Sequence, residues 1–215
     1  MAKVIGIMGE SGSGKTTAMR TLDPTITFYV DADKKGLSWK GWRNDYSVDK
    51  HNYMATDNVS TVMQILDKID KQDNLKHIKV VVIDTLNGIM VADEVRRMKE
   101  KGYDKWVDLA QCVWELLDHL YTLRDDLTVV ILCHSQTQKE DDGYTFTRIK
   151  TSGKKLDKLN VESKLTTVLH AVASDGRYIF RTRSDSSTTK APLGAFSDDE
   201  IDNDINIVLK ALEDY

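Results

Sequence analysis

Eight residues, Gly9-Glu10-Ser11-Gly12-Ser13-Gly14-Lys15-Thr16, leave this chain few choices of fold. They follow the spacing G-x-x-x-x-G-K-[ST]. Glycines at those positions let the backbone curl until several N–H groups face one anion. Lys15 is then placed to reach the outer phosphates of a nucleotide, and the Thr16 hydroxyl to ligate magnesium. Thr17 carries the chain into a helix predicted to begin near Lys15, whose N-terminal dipole also favours an anion. Asp23-Pro24 stops that helix early. The run Lys3 to Met8 ahead of the loop is apolar and β-branched, a buried strand by pattern. A strand, a glycine turn and a helix form the context that gives such a loop its meaning.

Three more buried strands follow. ITFYVDAD (Ile26 to Asp33) closes in acids, KVVVID (Lys79 to Asp84) closes in one acid, and LTVVILCHSQ (Leu127 to Gln136) has a polar end. Their lack of alternation predicts burial on both faces. Val59, Val62, Met63, Leu66 and Ile69 keep one helical face, with Asp57 or Asn58 as its cap. Trp106, Leu109, Ala110, Val113, Leu116, Leu117 and Leu120 keep another over four turns, a core-facing helix. Ser38 to Asn52 reads as irregular, and the stretch DEVRRMKEKGYDKW reads only as charged. YTFTRIK (Tyr144 to Lys150), LTTVLHAV (Leu165 to Val172) and RYIFRTR (Arg177 to Arg183) then read as strands. The predicted class is α/β: a mostly parallel, doubly wound sheet with a C-terminal antiparallel extension, in a single domain spanning 1–215.

Composition narrows the function. Forty per cent of the 215 residues are hydrophobic and 30% charged, enough for a core and too balanced for disorder. No apolar run approaches the roughly 18 residues of a membrane helix, so no membrane partner is expected. Val4 to Met8 meets Gly9 and Glu10 at once, so no signal-peptide core is expected either. Cys112 and Cys133 lack metal-ligand spacing and sit in apolar segments, two buried thiols suited to a reducing cytoplasm. The net charge of -4 hides segregation. Residues 144–164 carry six bases and two acids, whereas 197–215 carry seven acids and one lysine.

Several polar residues stand at strand ends, where chemistry in such a fold is placed. Asp84 closes an apolar strand, and a carboxylate there is costly unless a charged group meets it; magnesium would, and a helix cap is the alternative. Asp31 or Asp33 could polarise an attacking water. His134, Ser135 and Gln136 could feel a γ-phosphate. Arg181 and Arg183 alternate on one strand face and suit phosphate, either a nucleotide on a neighbouring subunit or nucleic acid. Arg148, Lys150, Lys154 and Lys155, with Tyr144 and Phe146 nearby, combine charge for phosphates with rings for bases, as single-stranded DNA requires. A solvated lysine loop would look the same.

Taken together, these motifs resemble the RecA-like P-loop ATPases, and most closely the small phage ATPases of the Sak-type single-strand annealing group. The resemblance covers nearly the whole chain. It rests on GESGSGKT, on FYVDADKKGL, on His134-Ser135-Gln136, on Arg181-Thr182-Arg183, and on KAPLGAF followed by an acidic tail. It implies a RecA-like core that binds ATP and Mg²⁺. Gly9 to Thr17 would hold the nucleotide, and Thr16 and Asp84 the metal. Asp33 would stand where the family carries a water-activating glutamate, and Gln136 in its polar switch. Arg181 or Arg183 would act as a finger in trans, making a homo-oligomer with ATP sites at subunit interfaces. Single-stranded DNA, with a single-strand-binding protein, would be the partner in phage recombination or replication, in the host cytoplasm. Two other classes stay open on the residues alone: a small-molecule kinase, and a nucleotide-dependent switch or loader that binds protein.

Overall fold

The computed structural model describes the whole chain except residues 103, 140–142 and 153–159. Its centre is a parallel sheet of β1 (Lys3–Gly9), β2 (Thr27–Asp31), β3 (Tyr53–Ala55), β4 (Val80–Asp84), β5 (Thr128–Lys139) and β7 (Thr167–Ser174). The order is β3-β2-β4-β5-β1-β7, continued by the antiparallel β8 (Arg177–Arg181) and β9 (Glu200–Asp202). β6 (Thr145–Ile149) pairs antiparallel with the far half of β5, making a ribbon that runs past the sheet. The mostly parallel sheet with an antiparallel extension is as the sequence predicts.

Alternate residues of each central strand feed two cores. Val4, Met8, Val81, Ile83, Val129 and Ile131 pack under α2 (Val59–Lys71), α3 (Leu86–Arg96) and α4 (Asp104–Leu120). Ile5, Ile7, Val80, Val82, Val130 and Leu132 face the other side. There they meet Met19 and Leu22, the aromatic segment 37–53 with its short helix α1 (Trp42–Asp45), and α5 (Ile205–Ala211). Burial on both faces explains why these strands do not alternate. In the segment the sequence left irregular, Tyr29, Trp39 and Tyr46 meet edge to face, with centroids 5.6 to 6.4 Å apart. Asn52 pins it, donating to Pro24 O and Asp45 O at 3.0 and 2.9 Å.

The structure corrects five expectations. The helix after the glycine loop is a five-residue 3-10 turn, Thr17–Thr21. One α-type bond, Ala18 N–H to Gly14 O, precedes it, and Pro24 leaves no room for more. Its dipole is correspondingly short. β2 ends at Asp31, so Asp33 lies in the turn beyond. α3 forms where only charge was read; its pattern is weakly amphipathic, and Thr85 starts it by accepting Gly88 N–H. β8 stops at Arg181, leaving Arg183 outside the strand. Cys133 is buried but Cys112 is partly exposed. Asn58, not Asp57, caps α2, accepting Thr61 N–H. No helix among the described residues is long and apolar enough to cross a membrane.

Candidate functional site: a nucleotide phosphate cradle

The glycine loop joins β1 to the 3-10 turn at the C-terminal tips of the parallel strands. Gly14 has φ of 89°, and a Cβ there would sit 2.8 Å from the Tyr178 ring. Both conformation and space restrict that position to glycine. Lys15 is only 6% exposed. Its Nζ donates to Gly9 O and Glu10 O, each at 2.7 Å. Burial pulls its pKa down to about 8, against the pull of Asp84. The ammonium is therefore held over the loop by backbone carbonyls, in the wall of the cavity.

Asp84, at the tip of β4, is 2% exposed. Its Oδ2 accepts from Thr16 Oγ1 at 2.8 Å and from the Tyr29 hydroxyl at 2.7 Å. Its Oδ1 is buried with no partner. Burial pushes the carboxyl above its ordinary range, and the bonds from Tyr29 and Thr16 only partly oppose it. The alternative role as a cap falls to Thr85. An orphaned carboxylate oxygen beside a threonine hydroxyl is a hard-oxygen donor set, and it fits magnesium, which keeps waters and phosphate oxygens as its other ligands.

The two acids after β2 separate cleanly. Asp31 Oδ2 accepts from Gly36 N at 2.8 Å and from the Tyr53 hydroxyl at 2.7 Å, which commits it to the turn. Asp33 accepts from Thr85 Oγ1 at 2.9 Å and pairs with Lys35 at 2.5 Å. Burial raises its carboxyl, and the bonds from Lys35 and Thr85 more than offset this, holding it below the ordinary value. A Cβ on Gly88 would lie 2.4 Å from Asp33 Oδ1, so a bare helix start lets the acid come down beside Asp84.

β5 lies between β1 and β4, so its residues reach the cradle. His134 pairs in register with Gly9 and lines the cavity. Burial, and Lys15 next, hold its imidazole below the ordinary value. Gln136, two residues on, pairs with Arg148 in the ribbon and is not among the cavity's lining residues. Because β5 continues to Lys139, the polar end beyond His134 is carried away from the phosphate loop.

The cavity, about 850 Å³, extends from the cradle to a second wall. Tyr178, Asp202, Asn203 and Ile207 build it, with Arg20. Sequence reading missed these residues. The acidic C-terminal stretch is folded: Ile205 and Val208 are buried, Thr21 donates to Asp204 at 2.6 Å, and Arg20 to Asn203 O at 3.2 Å. The only local signal was Asp204 ahead of an apolar run, a helix cap.

The remaining candidates lie elsewhere. Arg181 pairs with Glu200 at 3.2 Å, while Arg183 donates to Phe196 O at 2.8 Å and approaches Asp199 at 3.4 Å. Arg148 stands on β6 and Lys150 just beyond it. Lys154 and Lys155 lie outside the described residues. Two charges of the basic stretch are structural: Lys164 pairs with Asp118 and lies 4.2 Å from the Trp114 ring, and Glu162 is buried.

A glycine loop between a strand and a helical turn, its lysine held by the loop's own carbonyls, and a buried acid at the tip of β4, one strand removed from β1, define a P-loop nucleotide-binding protein. The AAA domain family AAA_24 matches residues 1–192, and the chain belongs to that family. The family carries nucleotide binding and points to ATPase activity. The match ends before β9 and α5, the elements that complete the cavity's second wall. No curated protein matches the chain.

Proposed function

We propose that this protein is a magnesium-dependent ATPase of the RecA-like, phage Sak-type group, acting on single-stranded DNA in annealing or strand exchange. The observation that carries the enzymatic part is Asp84. A buried carboxylate with one oxygen held by Thr16 and Tyr29 and the other orphaned is an unstable arrangement without a cation.

In this reading the loop amides of Gly9 to Thr17 and the Lys15 ammonium bind the phosphates of ATP. Thr16 and Asp84 hold magnesium, which would offset charge on the β- and γ-phosphates. Asp33, kept ionised by Lys35 and Thr85, orients the attacking water. His134 stands beside the outer phosphate position. Arg181 or Arg183 of one subunit completes the site of the next, so turnover depends on assembly. The exposed ion pair at Arg181 holds it only weakly, since such pairs contribute little.

Arg148 and Lys150, with Lys154 and Lys155, would track the phosphates of a single strand, and Tyr144 and Phe146 would offer rings to its bases. Phosphate release should require Mg²⁺ and ATP, rise with protein concentration, and rise again with single-stranded DNA. Transfer of label to nucleosides instead of release would convert the reading to a kinase. Neutralising Lys150, Lys154 and Lys155 together should lower the slope of log K against log salt by about 2, at roughly 0.7 per contact. An unchanged slope would place the strand elsewhere.

A further inference from the structure

Asn87 stands in the first turn of α3, directly after the Asp84-Thr85 strand end, and is 6% exposed. Its Oδ1 accepts from the His134 N–H at 2.7 Å. Its Nδ2 donates to Lys150 O at 2.7 Å. The Lys150 N–H donates in turn to His134 O at 2.7 Å. One side-chain amide and the backbones of two residues thus close a ring over three elements. Only a primary amide of this length both accepts and donates there. A carboxylate cannot give the second bond, and an apolar side chain gives neither.

The ring sits where two regions meet. His134 lines the phosphate cavity, and Lys150 is where the β5–β6 ribbon ends. The neighbour of Lys150 is tied as well: Ile149 N–H donates to the buried Glu162 at 2.7 Å. α3 begins two residues after Asp84, which would meet the nucleotide's metal. A shift of that first turn would reach Lys150 through the two 2.7 Å bonds of Asn87.

We propose that Asn87 is a positioning residue that couples occupancy of the nucleotide site to single-strand binding at the ribbon. The proposal rests on the reading of the ribbon as a single-stranded DNA site. By linkage the coupling is reciprocal: nucleotide changes DNA affinity by the factor with which DNA changes nucleotide affinity.

The test is anisotropy of a labelled oligothymidylate on the full chain, without nucleotide and with a non-hydrolysable ATP analogue and Mg²⁺. Analogue affinity is measured with and without the oligonucleotide. In the parent protein the two ratios should agree at about fivefold or more. In Asn87→Ala both should fall below about twofold, with each separate affinity within about threefold of the parent. Asn87→Asp keeps the acceptor for His134 and loses the donor to Lys150, and it should uncouple as fully. If the parent is coupled and both variants keep its ratio, Asn87 has no such role, while the DNA reading stands. Affinities that drop together at constant ratio also overturn the proposal, because they show a merely structural residue. If the parent binds no oligonucleotide, the DNA reading fails and takes the coupling with it. Should both variants fail to fold, hydrogen exchange on the parent decides. The His134 and Lys150 amides should change protection when the analogue binds, and unchanged protection at both overturns the proposal.

Discussion

The phosphate cradle and the arginine edge of the sheet use charge in opposite ways. In the cradle, Lys15 and Asp84 are buried and shifted from their ordinary proton affinities, and one Asp84 oxygen has no partner. At the edge, Arg181 and Arg183 are partly exposed and already paired within the chain. Desolvation makes an unpaired buried charge expensive, so its survival in the fold points to a ligand. An exposed pair costs little and indicates little. The cradle therefore argues its own function from one subunit, whereas the edge needs a second subunit to argue anything.

The contrast can be broken by experiment, most severely at Lys15. Lys15→Ala removes the cation and leaves the loop amides. Hydrolysis should fall below detection, by at least about 10³, with the cooperative fold retained; near-normal turnover would mean the loop is not a phosphate cradle. A smaller loss is expected at the edge. Arg181→Ala or Arg183→Ala should cut turnover by about 10³ where the parent assembles, with ATP affinity of the dilute protein nearly intact. Mixing the impaired variant with Lys15→Ala should restore some activity, because only a mixed interface joins an intact loop to an intact arginine. Loss without rescue in confirmed mixed assemblies would return both arginines to structural duty.

The next effect is about tenfold per pH unit. Phosphate favours charged Lys15, so the bound state has the higher pKa. Affinity for a non-hydrolysable nucleotide is then fully present below the free value of about 8 and falls as pH rises above it. A titration flat to pH 10 would show that Lys15 does not meet the phosphates. The smallest effect is on stability. The Asp84 carboxyl has its folded pKa raised, so its cost to the fold is complete above the raised value and is relieved as pH falls through it toward the ordinary one. Asp84→Asn should therefore raise the melting temperature of nucleotide-free protein in EDTA by about 2–4 °C, although it abolishes turnover. A lower melting temperature would mean that Asp84 stabilises the fold.

Much of the central sheet was legible because its residues carry local signals. The apolar strands β1, β4 and β5, the faces of α2 and α4, and the cradle from Gly9 to Thr16 depend on neighbours a few positions away. The failures have physical causes. α3 escaped notice because Val91 and Val95 put apolar side chains on its exposed face, so it shows little amphipathic contrast. Asp31 and Asp33 look alike in sequence. Tyr53, 22 residues away, claims one, and Thr85, 52 residues away, holds the other. Gln136 and His134 share a strand end by pattern, but the length of β5 decides which lines the cavity.

By itself the sequence determined that a phosphate loop would sit on a buried parallel sheet, with an acid at the tip of a second strand. Those are properties of runs and spacings, and short-range geometry enforces them. The tertiary structure alone decided what faces the loop. It brought Tyr29 to Asp84 across 55 positions and joined Asn87 to Lys150 across 63. It also folded the acidic terminus against Thr21 and Arg20 to finish the cavity. Contacts at such separations depend on strand order and layer packing, which no local pattern encodes.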